Sequence, residues 1–167
     1  MKTIIKNLLA LIVAVTSLTL SGCNPKSDPE TEQKIEGSWK AYMYETETED
    51  GVTMRFKVTE NVTYELPSHR MHGTVNMRMV SPMSLNVLTM SFEGTWSADK
   101  QSLTENYDKK SIKFEFHTGL IDREDKEEMK RDMMSEFESK AVSEIKTLDS
   151  DMMLLWDGED EMTYKRN

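Results

Sequence analysis

His69-Arg70-Met71-His72, with Met77 and Met79 soon after, is the stretch whose side chains come nearest to a metal-binding set. In an extended strand, residues of one parity share a face, so His69, Met71, Met77 and Met79 are expected together, with His72 on the opposite, solvated face. Imidazole and thioether sulfur suit Cu(I). Yet the chain holds 14 methionines, many at positions of ordinary apolar alternation such as Met54 and Met133. Methionine serves here as a flexible filler. The primary expectation is therefore no metal and a methionine-lined core or pocket wall; Cu(I) binding is the minor alternative. The acidic runs Glu45 to Asp50 and Asp157 to Glu161 offer oxygen ligands without the ordered spacing of a dedicated Ca²⁺ loop, and read as solvated hairpin tips. No Gly-x-Ser-x-Gly turn presents a nucleophile, and in so acidic a chain adjacent carboxylates carry no information. Neither enzyme activity nor a cofactor is expected.

The remaining reactive group is Cys23, the chain's single cysteine, at the foot of an apolar run. Lys2 and Lys6 precede the unbroken apolar stretch Leu8 to Val15, and Thr16 to Gly22 are small and polar. This is the three-part plan of a secretory signal, with a core too short to cross a bilayer as a mature helix. Leu20-Ser21-Gly22-Cys23 resembles the lipobox of bacterial lipoproteins. That resemblance implies cleavage between Gly22 and Cys23, a thioether from Cys23 to diacylglycerol, and acylation of the new amino terminus. Asn24 after the cysteine implies the outer membrane of a Gram-negative bacterium, with the leaflet open. A lone cysteine also excludes an intramolecular disulfide, so the fold must stand on its core.

With residues 1–22 removed, the formal charge falls from −9 to −11, because two lysines are lost and no acid. Nucleic acid is thereby an unsuitable partner, since phosphates demand Lys and Arg. Anionic headgroups would repel the chain as well, so the membrane partnership must rest on lipid. Residues 23–34 are rich in Pro, Ser and acids without apolar periodicity, and read as a lipidated cysteine and flexible tether. Residues 35–167 form the folded domain.

The elements that must position any site are mostly strands. Val52, Met54, Phe56 and Val58 alternate with Thr53, Arg55 and Lys57, and Val62, Tyr64 and Leu66 alternate again. Short strands joined by turns continue to Phe116, which points to an antiparallel sheet or barrel. Then Asp122 to Lys146, free of Gly and Pro, spaces Met129, Met133, Phe137, Ala141 and Ile145 four apart. That predicts one long amphipathic helix docked outside the sheet, before two last strands.

Glu36-Gly37-Ser38-Trp39 is echoed by Glu93-Gly94-Thr95-Trp96. Glycine lets a neighbouring backbone pass close, and an indole plugs the narrow end of a barrel. With these anchors and a closing Thr163-Tyr164-Lys165-Arg166, the chain resembles the lipocalin-like (calycin) lipoproteins of Gram-negative bacteria. The resemblance implies a mainly β, antiparallel barrel of about eight strands, with Gly37, Trp39, Gly94 and Trp96 at its closure and Arg166 stacked over the first indole.

Two functions compete. One is an envelope lipoprotein whose barrel binds a small hydrophobic or amphipathic ligand, with Met54, Phe56, Met77, Met79 and Phe92 lining the site. The other is a structural or interaction lipoprotein with a filled barrel and an acidic protein-binding surface. An apolar cavity of roughly 300 Å³ or more, open at one mouth, marks the first; a void-free interior marks the second.

Overall fold

The computed structural model describes residues 27–49, 51–81, 84–119 and 121–167. The signal segment, the Gly22–Cys23 cleavage point and residues 23–26 of the expected tether lie outside the described residues. The elements are α1 (Pro29–Ile35), β1 (Gly37–Glu49), β2 (Val52–Glu65), β3 (Arg70–Ser81), β4 (Leu85–Ala98), β5 (Ser102–Tyr107), β6 (Lys113–Phe116), α2 (Arg123–Glu136), β7 (Lys140–Leu148), β8 (Met152–Trp156) and β9 (Glu161–Arg166). Among the described residues no helix is long and apolar enough to cross a membrane.

All strand pairings are antiparallel. β1 to β5 pair in chain order, β7 follows β5, and β8 and β9 lead back to β1, which closes an eight-stranded up-and-down barrel. β6 is the extra strand. It pairs with Leu88–Ser91 of β4, beyond the stretch Gly94–Ala98 that pairs with β5, so β5 and β6 lie end to end along one neighbour.

The period-two pattern sets which side chains enter the barrel. Along β2, Met54, Phe56, Val58, Val62 and Tyr64 are buried, while Thr53 and Arg55 are exposed. Register then stacks inward residues in layers: Gly37, Tyr64, Met71 and Gly94 lie opposite one another. Above them lie Trp39, Val62, Gly73 and Phe92, and then Ala41, Glu60, Val75 and Met90.

Two elements differ from their expectation. The acidic, Pro-containing segment expected as tether is helical from Pro29. The Asp28 carboxylate caps it, accepting from the Thr31 N–H at 3.1 Å and the Thr31 hydroxyl at 2.7 Å, and those bonds hold its pKa below the usual carboxylate range. Ile35 is fully buried, and buried Glu32 accepts from the Ala98 N–H at 3.3 Å. Tertiary contacts thus order residues whose composition alone would leave them loose, and the folded unit begins at this helix.

The second difference is α2, which ends at Glu136, not Lys146. Phe137 turns extended, and Lys140–Leu148 forms β7, so three strands follow the helix. Ala141 continues the four-residue stripe, but it also shares strand parity with inward Ser143, and both are buried. With Val142, Ile145 and Thr147 beside them, β propensity and a place next to β5 prevail. α2 lies between β6 and β7 in the chain. Its Met129 and Met133 join the same buried cluster as the strand residues.

Candidate functional site

The lower end of the barrel is closed by the tryptophan anchors. Trp39 is fully buried, and its Nε1 donates to the Ile35 carbonyl at 2.6 Å, tying β1 to α1. The Arg166 guanidinium lies 4.2 Å above the Trp39 ring and donates to the carbonyls of Lys34, Glu36 and Ser150, each at 2.6 Å. Gly37 has φ +119°, and a Cβ there would meet the Arg166 Nη1 at 2.5 Å, so glycine is what lets the guanidinium lie flat. Trp96 packs edge-on against Tyr64, with ring centres 5.2 Å apart, and its buried Nε1 has no partner among the described residues. Gly94 lets the Asn106 carbonyl of β5 and the Met71 thioether approach.

The His/Met set does not converge. His69 lies in the turn before β3, its Nε2 3.1 Å from Glu32 Oε2 and its ring beside Trp96. Met71 and Met79 are eight residues apart on one strand, about 26 Å at an extended rise. Met71, Met77 and Met79 are all buried core residues. Among the described residues no group of His, Cys, Asp and Glu is arranged to hold a metal ion.

Four of the five expected ligand-binding residues also lie elsewhere. Met54, Phe56, Met77 and Met79 are buried in the upper layers and do not line the cavity. Phe92 alone reaches the cavity that remains. That cavity occupies the middle of the barrel, walled by Val58, Val75, Met90, Phe92, Leu155 and Phe137. It offers about 50 Å³ to the centres of water molecules, so the roughly 300 Å³ expected of a ligand-binding barrel is not met, and the interior is not void-free either. Its lining reaches the β8–β9 turn at the barrel rim as well as the stretch where β1 and β9 part. β1 and β9 pair only at Trp39–Arg166 and Lys40–Lys165, so above that point the strands part, and the cavity reaches the surface between Tyr42, Met43, Met162, Asp157 and Asp160. A wider depression of about 410 Å³ crosses the outer face around Gly73, Thr74 and Lys113. It is half polar and lacks enclosing walls, so the interior cavity is the better candidate.

The cavity is not apolar throughout. Glu60 on β2 and Glu105 on β5 both point inward. Glu105 receives the Tyr64 hydroxyl at 2.7 Å and the Tyr107 hydroxyl at 3.0 Å, while Tyr164 donates to Glu60 Oε2 at 2.6 Å. Burial pushes Glu60 up to about 7, aided by the neighbouring Glu105 charge and opposed by the Tyr164 bond. Burial also raises Glu105, against its two tyrosine bonds, and holds all three tyrosines well above their ordinary range. Two groups are left over. Glu60 bonds Tyr164 through Oε2 only, which leaves Oε1, and the Ser143 hydroxyl makes no side-chain hydrogen bond among the described residues; both residues line the cavity, where the two oxygens are open to water, unlike the buried Trp96 Nε1. Parity was the readable signal: Glu60 falls between inward Val58 and Val62, and Glu105 between inward Leu103 and Tyr107.

No family model matches this chain, and no curated protein matches it in sequence. Among solved structures it is similar to a lipocalin-like protein from Bacteroides uniformis, with 12 % identity and a TM-score of 0.41 over 80 % of this chain and 99 % of that one.

Proposed function

We propose that this protein is a lipid-anchored envelope protein whose barrel holds a small amphipathic ligand, or the end of one. The observation that carries the binding reading is the interior cavity itself. Its walls are mostly apolar, it reaches solvent where β1 and β9 part, and Glu60 Oε1 and the Ser143 hydroxyl are left on its lining without a side-chain partner among the described residues. A ligand bringing its own polar head can bond these groups in place of water. The cavity's volume selects a small head over a whole acyl chain, while the space between the strands leaves an apolar tail free to run along Met43 and Met162.

The anchor rests on the lipobox-like Leu20-Ser21-Gly22-Cys23 and the apolar run before it. Several acyl chains on Cys23 would hold the protein on a membrane almost permanently, at about 0.8 kcal/mol per buried methylene. Native mass spectrometry of protein purified from its own host tests the binding reading. A small-molecule adduct is expected in the wild type and is lost when Ser143→Phe fills the cavity. A bare mass for wild-type protein overturns it.

A further inference from the structure

We infer that the ligand's head is a cation, a primary ammonium carried on an apolar body, recognised by Glu60 with Glu105 behind it. This rests on the binding reading above and specifies it. The charged residues lining the cavity and its opening are Glu60, Glu105, Asp157 and Asp160, and none of the lining residues is Lys, Arg or His. Asp157 and Asp160 at the opening and Glu60 and Glu105 within outnumber the nearby cation Lys57, stacked on Tyr42 at 4.7 Å, which favours entry of cations over carboxylates and phosphates. The side chains available inside complete the fit. An ammonium has three donors and no acceptor; Glu60 Oε1 and the Ser143 hydroxyl are two free acceptors facing the same space. The faces of Tyr107, Phe92 and Phe137 add aromatic surface against which a desolvated cation is stabilised. An anionic or merely apolar head leaves the carboxylates unpaired or repelled.

The groups that face Glu60 are Glu105 and the hydroxyls of Tyr64, Tyr107 and Tyr164, with Asp157 and Asp160 at the rim. None supplies a positive charge, so the carboxylate gains its counter-ion only from the ligand. Binding an ammonium therefore favours ionised Glu60, and affinity rises as pH increases through about 7.

The test uses three matched probes, n-hexylamine, n-hexanol and hexanoate, titrated by calorimetry into the mature protein at pH 8. Hexylamine is expected to bind at least tenfold more tightly than hexanol, with hexanoate weakest, and to weaken at pH 5.5. Glu60→Gln should cut hexylamine affinity at least tenfold and hexanol affinity by much less, with an unchanged circular dichroism spectrum showing that the variant is folded. Equal binding of all three probes, or hexylamine affinity indifferent to Glu60→Gln, overturns the cation assignment while leaving a binding cavity in place. No binding of any probe overturns both.

Discussion

Glu60 makes the barrel interior respond to pH. Its carboxyl ionises at about 7 in the folded protein, against an ordinary value of 4.5. A carboxyl raised in this way favours the neutral form in the fold, so its contribution is fully present below pH 4.5 and is lost as pH rises through 7. The loss is on the order of 3 kcal/mol. Glu60→Gln stays neutral, so it should be more stable than wild type at pH 8 by roughly that amount and little different at pH 4. Urea denaturation at both pH values checks this; a gap that does not widen with pH shows that Glu60 does not titrate as described. The two indoles also differ. Trp39 donates to the Ile35 carbonyl and carries Arg166 on its face, while Trp96 holds an unpaired N–H. Trp39→Phe is expected to cost about 2–4 kcal/mol and Trp96→Phe about half as much, because only the first leaves a carbonyl unpaired. Equal costs in chemical denaturation would remove the distinction.

At the scale of elements, the barrel is stoppered at its lower end by α1 and parted along one side. α1 seals the lower end through Ile35, Glu32 and the carbonyls that Arg166 gathers. Ile35→Ala is therefore expected to cost about 2–4 kcal/mol, whereas Ser27→Ala, at an exposed position just before the helix, should stay within about 0.5 kcal/mol. Thermal unfolding of the two variants decides between a docked helix and a loose tether; a silent Ile35→Ala means the latter. Above Lys40, β1 pairs with β2 on one side and, among the described residues, with nothing on the other. Glu45 and Glu47 stand along that unpaired edge, where like charges discourage a second chain from adding a strand.

At the scale of the whole molecule, charge and anchor act together. The proposed mature chain carries a formal −11, so anionic membrane surfaces repel the domain and only the acyl chains on Cys23 would retain it. Cys23→Ala is expected to move the protein from the membrane fraction to the soluble one, and mass spectrometry of the wild type should show a diacylglyceryl group on Cys23. An unmodified thiol on membrane-retained protein would disprove the anchor.

Several features were legible in the order of residues because they depend on local parity and spacing. The alternation of Met54, Phe56 and Val58 and the short strands joined by turns give an antiparallel β protein, whereas the barrel of about eight strands was what the resemblance carried by the paired Gly-x-Trp stretches implied, and the pairing of β1 with β9 closes it. What local pattern could not supply is which of several compatible neighbours wins. Residues 140–148 satisfy both a four-residue stripe and a two-residue alternation, and only their place beside β5 makes them strand. Residues 29–35 look like tether until Trp39, Ala98 and Arg166 give them partners. The site was hidden for the same reason. Met54, Phe56, Met77 and Met79 share an inward face with the residues that line the cavity, but their height along the barrel puts them in the packed upper layers. Glu60 and Glu105 are remote in sequence and meet only when the barrel closes, where burial turns two ordinary carboxylates into the polar centre of the interior.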